Sequence, residues 1–145
     1  MIGLIQRVTH ASVSVDNAVC GEIEQGIMLL LGIQRDDDQR HADRLLEKIL
    51  NYRIFADSAG KMNLSLRDIK GGLLIVSQFT LAADTKKGLR PSFTSAAAPE
   101  HAEALYNHFA ARAKTIHQDT QCGIFAADMQ VSLRNDGPVT FSLQS

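Results

Sequence analysis

Two short segments carry residues whose types suit chemistry beyond folding. Ser77-Gln78-Phe79-Thr80-Leu81 ends a strongly apolar run with two hydroxyls and an amide. A buried strand that finishes this way brings those groups and free backbone N–H donors to a sheet rim. Such a rim suits an oxyanion hole or a ligand cradle, and it equally suits simple capping of neighbouring backbone. The second segment is Asn135-Asp136-Gly137-Pro138-Val139-Thr140. Asp-Gly marks a tight hairpin turn, but the proline that follows has no N–H to give the next strand. An X-Pro bond in a tight turn is also the usual place for a cis peptide. A cis Gly137-Pro138 bond would aim both carbonyls in roughly one direction, as a rigid acceptor pair for an ammonium group. An ordinary proline-containing turn accounts for the same residues.

Other chemistries are missing from the string. The five histidines, His10, His41, His101, His108 and His117, form no HExxH and no Cys/His cluster at zinc spacing. His101 and His108 read as solvated positions on the polar side of a helix. No GxSxG elbow, P-loop or GxGxxG occurs. Asp36-Asp37-Asp38 lacks further ligands at EF-hand spacing and reads as a helix start, where the macrodipole favours anions. Cys20 and Cys122 are expected as reduced, mostly buried thiols. The expectation is therefore no metal and no cofactor.

Composition narrows the partners. A chain of 145 residues, 45% hydrophobic, is expected to form one domain over 1–145 without metal or disulfide staples. Its start lacks the basic and apolar regions of a secretory signal, and its longest apolar run, Gly26 to Ile33, is too short to span a bilayer. A cytoplasmic protein without a membrane partner is expected. With 15 Lys and Arg against 16 acids, no global field attracts a nucleic-acid duplex. Any such contact would be local, at a short single-stranded end. Lys86, Lys87 and Arg90, just past the Ser77–Leu81 rim, are cations for phosphates or an ordinary solvated loop.

These segments need elements to hold them. Ile2, Leu4 and Val8 share one parity and Ala11, Val13 and Val15 the other, which predicts a long strand with a bulge near Thr9-His10. After a turn at Asp16-Asn17, Val19 to Ile23 returns as a strand, and Gly26–Ile33 reads as a strand buried on both faces. Ala42, Leu45, Leu46 and Ile49 recur at helical spacing. A polar connection over Asp57–Lys70 carries an extended piece at Met62–Leu66, and Gly72–Leu81 is a second buried strand. Pro99 opens a second helix with the stripe Ala102, Leu105, Tyr106, Phe109, Ala110 and Ala113. Phe125, Ala127, Met129, Val131 and Leu133, then Val139, Phe141 and Leu143, alternate as two final strands. The fold class expected is α+β, a mostly antiparallel, curled, barrel-like sheet with two main helices packed on one side.

Together the two motifs resemble those of the D-aminoacyl-tRNA deacylases (the D-Tyr-tRNA deacylase family). The resemblance extends to Gln6-Arg7-Val8, Met62-Asn63-Leu64, Arg90-Pro91-Ser92-Phe93, and Phe125 with Met129, and so covers essentially the whole chain. It implies a homodimer with active sites at the subunit interface, each pairing the Ser77–Thr80 end of one subunit with the Gly137-Pro138 turn of the other. The implied substrate is the 3′-terminal adenosine of tRNA carrying an esterified D-amino acid, and also glycyl-tRNA, as when glycine is mischarged on tRNA-Ala. The resemblance also implies that Arg7 braces the turn and that Phe79, Phe125 and Met129 line the pocket. Ser77, Gln78, Phe79 and Thr80 are then the candidate catalytic set. Thr80 is a poor nucleophile without an adjacent base, so hydrolysis assisted by the tRNA's own ribose hydroxyl is favoured. A non-catalytic nucleic-acid-binding module would need a broad basic face with stacking aromatics. A small-molecule esterase would need a nucleophile and base.

Overall fold

The computed structural model describes residues 1–86 and 88–145, so Lys87 lies outside the described residues. Among the described residues, eight strands and three α-helices occur: β1 (Ile2–Val15), β2 (Ala18–Ile23), β3 (Gly26–Gly32), α1 (Gln39–Asn51), β4 (Phe55–Ala56), β5 (Met62–Leu64), α2 (Leu66–Ile69), β6 (Gly72–Ser77), α3 (Pro99–Ile116), β7 (Thr120–Cys122) and β8 (Gln130–Gln144). A 3-10 turn, Phe79–Ala82, follows β6.

The main sheet runs β2-β1-β3-β6-β7, with β8 also paired to β1. The three pairings of β1 are antiparallel, whereas β3–β6 and β6–β7 are parallel. The sheet curls until β2 approaches β7, where a Cβ added at Gly21 would lie 3.2 Å from the Cys122 carbonyl oxygen. The α+β class and the curled, barrel-like sheet match the expectation, and the sheet is nearly closed and mixed, its β3–β6–β7 part being parallel. Parallel pairs require crossovers, and α1 and α3 supply them. Gly26 and Gly72 let β3 and β6 start side by side, since a Cβ at Gly26 would sit 1.9 Å from the Gly72 oxygen.

Apolar surface explains the assembly. Ala42, Leu45, Leu46, Ile49 and Leu50 of α1 and Leu105, Tyr106, Phe109 and Ala113 of α3 are buried, most of them against Ile27, Leu29, Leu31, Leu73 and Ile75 of the central strands. Inside the curl a smaller cluster joins Val8, Ala11, Val13, Ile23, Met28, Leu74 and Val76. Asp38 caps α1, accepting from the His41 amide at 3.0 Å. Pro99 opens α3 at a position where its missing N–H costs nothing.

Five local expectations are corrected. The buried face of early β1 is Gly3 and Ile5, with Ile2 and Leu4 only half-buried, before Val8, Ala11 and Val13 take over. Ser65 leaves the extended piece and caps α2 instead, its hydroxyl accepting from the Asp68 amide. The strand expected over Gly72–Leu81 stops at Ser77, and the segment from Phe125 to Met129 is a turn and bend rather than a strand. The last correction concerns Gly137-Pro138. No hairpin forms there, because β8 is one continuous strand along β1. Its register jumps from Gln6↔Thr140 to Val8↔Asn135, so Asp136 to Val139 bulge out opposite the single residue Arg7.

Candidate active site

The bulge is held by a side chain from the strand it pairs with. Arg7 donates from Nε to the Asp136 carbonyl at 3.0 Å and meets the Asp136 carboxylate at 3.2 Å. Its Nη1 donates to the Ile54 carbonyl at 2.6 Å, tying the bulge to the segment after α1. Hydrogen bonds from a charged donor are roughly twice as strong as neutral ones, and the Arg7 side chain is only 13% exposed, so screening is limited. Beside it, Gln6 donates to the Asn135 side chain at 3.3 Å. The Gly137-Pro138 peptide is cis, as its sequence context suggests.

Gly137 has φ +117°, a region L side chains rarely adopt, and a Cβ there would lie 2.8 Å from Arg7 Nη2 and 3.1 Å from Val139 Cγ2. A methyl at 137 is opposed by the guanidinium that props the corner. Gly137 and Pro138 themselves are exposed on the single chain.

At the other motif, β6 ends at Ser77, and the Gln78 amide still donates to Leu31 at 2.8 Å. The chain then tightens into the 3-10 turn, whose first amides have no intrahelical partner. The N–H groups of Phe79 and Thr80 donate to no backbone carbonyl among the described residues. Phe79 is 56% exposed and stacks on Phe93 at 4.5 Å between ring centres. In the sequence, Phe93 stands out only as part of the family pattern. The loop carrying it closes on itself through paired hydrogen bonds between Asp84 and Ser92, and the Ser95 hydroxyl donates to Ala82.

The hydroxyl of Thr80 accepts a hydrogen bond from Gln78 Nε2 at 2.7 Å. An amide N–H pointing at that oxygen occupies a lone pair and takes no proton from it. All five histidines are engaged elsewhere: His10 with Glu22, His41 with Asp38, His101 with the Asp37 carbonyl, His108 with Asp43, and His117 with the Gly71 carbonyl. His108 thus ties α3 to α1, and His101, still exposed, ties α3 to the segment that leads into α1. Burial pushes the Cys122 thiol up, so it stays protonated at neutral pH. No group of three or more His, Cys, Asp or Glu side chains is placed to hold a metal ion among the described residues.

Phe125 and Met129 lie in the segment between β7 and β8. The Gly123 amide donates to the Ile75 carbonyl at 2.8 Å, which sets the turn after β7 beside the end of β6. The buried Tyr106 hydroxyl fixes the same junction, donating to both Gly123 at 2.9 Å and Ile75 at 3.2 Å. Phe125 packs on Tyr106 with ring centres 5.7 Å apart. Met129 lies against the inner cluster, 2.6 Å from where a Cβ at Gly123 would stand. Depressions on the single chain include ones around His10 and Arg134, around Gln34 and Thr94, and around Arg67 and His117. Lys86 and Arg90 are exposed in the loop, the Lys86 amide donating to Asp84.

Known proteins share this fold and much of this sequence. Residues 4–144 match the model of the D-Tyr-tRNA(Tyr) deacylase family. The chain is 62% identical over its full length to the D-aminoacyl-tRNA deacylase of Stutzerimonas stutzeri, with all of both chains covered. It is 59% identical to that of Escherichia coli, with 99% of each covered. Among solved structures, a c-Myc DNA unwinding element binding protein superposes with TM-score 0.95 at 41% identity, covering 100% of this chain and 99% of that one. A probable eukaryotic D-amino acid tRNA deacylase shares the fold at TM-score 0.86 and 16% identity, with 98% of each chain covered. No helix among the described residues is long and apolar enough to cross a membrane. With a family model matched from residue 4 to residue 144 and a relative 62% identical over the full length, the chain belongs to the D-Tyr-tRNA(Tyr) deacylase family.

Proposed function

We propose that the chain hydrolyses the ester joining a D-amino acid to the 3′ end of tRNA, releasing free amino acid and free tRNA. The observation that carries this reading is an Arg7-braced, exposed Gly137-Pro138 corner in a chain matching the family along nearly its whole length. Glycine carries no side chain to exclude, so glycyl-tRNA, including glycine mischarged on tRNA-Ala, falls within the same reading.

The work is done in a homodimer, in which the corner of one subunit faces the Phe79–Thr80 rim of its partner. Exposure of Phe79, Gly137, Pro138 and Phe141 on one chain favours such a completion. The Gly137 and Pro138 carbonyls accept hydrogen bonds from the substrate ammonium and fix Cα. A rigid main-chain wall then leaves room for a substituent on one side only, the D side. Arg7 serves by holding the wall in place, and Phe79, Phe125 and Met129 form the apolar walls for adenine and the aminoacyl group.

Hydrolysis proceeds by water attack on the ester carbon. The terminal ribose hydroxyl beside the ester orients the water, and the Phe79 and Thr80 amides stabilise the oxyanion. As the tetrahedral intermediate collapses, the ester C–O bond breaks and the ribose oxygen takes up a proton derived from the water. Thr80 positions and is not acylated, in keeping with the Gln78 amide directed at its hydroxyl.

Matched D- and L-tyrosyl-tRNA, incubated with the protein with and without chelator, test the reading. Release of tyrosine from the D form alone, unaffected by chelator, is expected. Release from both forms at equal rates would refute the chiral wall.

A second reading has one observation behind it, the DNA-binding name of the relative with TM-score 0.95. A non-catalytic module would retain duplex DNA at physiological salt. A net charge of −1 gives such binding little electrostatic support.

A further inference from the structure

Arg40, Arg44 and Lys48 recur at every fourth residue of α1, and all three are exposed. Four residues of helix advance about 6 Å, close to the step between successive phosphates on one nucleic-acid strand. Like charges at this spacing destabilise a helix, and among the described residues no carboxylate forms an ion pair with any of the three. The acids of the helix are drawn off to other partners. Asp43 meets His108 of α3 at 2.9 Å, and Glu47 takes two hydrogen bonds from Arg67 at 2.9 and 3.1 Å. A bare cationic row thus stands on a chain whose net charge is −1.

The row also leads toward the site. Lys48 donates to the Gln144 carbonyl at the end of β8. Past the last turn of α1, the Ile54 carbonyl accepts from Arg7, the brace of the Gly137-Pro138 corner.

We propose that the Arg40–Arg44–Lys48 ridge docks the phosphate backbone of the tRNA acceptor stem, while the single-stranded 3′ end runs on to the Gly137-Pro138 corner. This rests on the deacylase reading and names the surface by which that activity holds a macromolecule. The loop cations Lys86 and Arg90 lack the regular spacing and the helical rigidity of the ridge.

The test compares two substrates in the full-length protein: D-tyrosyl-tRNA and D-tyrosyl-adenosine, which has the ester and no stem. In the triple variant Arg40→Gln, Arg44→Gln, Lys48→Gln, kcat/KM for D-tyrosyl-adenosine stays at the wild-type value. KM for D-tyrosyl-tRNA rises, and its salt dependence flattens by about 0.7–0.9 log units per decade of salt for each phosphate no longer neutralised. For three phosphates, sensitivity between 50 and 200 mM salt falls by roughly tens-fold. An unchanged KM and salt slope for D-tyrosyl-tRNA would overturn the ridge, as would an equal loss on both substrates. So would the effect appearing in Lys86→Gln with Arg90→Gln instead. Wild-type protein that cleaves neither substrate would sink the deacylase reading and the ridge with it.

Discussion

Gly137 is where a single added atom tests the site most sharply. Its φ of +117° and the 2.8 Å from a hypothetical Cβ to Arg7 Nη2 mean that Gly137→Ala must either twist the bulge or push the guanidinium aside. Backbone strain of this kind costs about 1–3 kcal/mol. Expressed in the transition state, that is roughly a 5- to 150-fold loss in kcat/KM for D-tyrosyl-tRNA, with the fold retained by circular dichroism. Arg7→Lys keeps the charge but loses the fork that spans Asp136 and Ile54. It is expected to lower stability in urea by about 1.5–3 kcal/mol and to weaken D-over-L selectivity. Thr80→Ala should retain at least a tenth of kcat, since the hydroxyl takes an amide N–H and meets no base. Complete loss of turnover with unchanged substrate affinity would instead point to a threonine nucleophile. The motif residues are legible in sequence because their types are odd for a strand end and a strand interior. The Phe93 stack on Phe79 is not, since an aromatic in a polar loop gives no sign of what it covers.

Elements position those residues through contacts far apart in sequence, and there the sequence misleads most. Asp-Gly-Pro between alternating segments predicts a turn, yet β8 runs straight past it. What decides is Arg7, 129 positions away, whose bonds to Asp136 hold the extra residues as a bulge. Periodicity along one strand cannot report a partner on another. Helices are easier to read, since their stripes and caps are local. Those caps, with the turn held by Asp57, carry a pH signature. Hydrogen bonds from His41, Asn63 and Ser65 hold the carboxyls of Asp38, Asp57 and Asp68 below the ordinary carboxylate range. Their folded values lie under their unfolded ones, so their support is complete above the unfolded pKa and is lost as pH falls through the lower folded values. Thermal melts should therefore show a decline beginning below about pH 4, with Ser65→Ala removing the part due to α2. At the β6–β7 junction, Tyr106→Phe strips one hydroxyl from two buried carbonyls and is expected to cost about 1–3 kcal/mol in denaturant unfolding.

At the scale of the molecule, the architecture follows from where apolar residues are continuous. Gly26–Ile33 and Gly72–Val76 are apolar on both faces, and they form the central parallel pair between helices and inner cluster. That pairing is parallel because the chain passes from β3 to β6 through a crossover that contains α1, a point that strand patterns alone leave open. Activity, on the reading proposed, depends on assembly: one subunit's Gly137-Pro138 corner completes its partner's Phe79–Thr80 rim. Mixed dimers measure this directly. Gly137→Ala and Phe79→Ala proteins, each impaired alone, are unfolded together, refolded and assayed on D-tyrosyl-tRNA. Random pairing places both intact halves in one site of each heterodimer, so activity should recover to about a quarter of wild type. A mixture no more active than the mean of its two components would contradict a site shared across the two-fold contact.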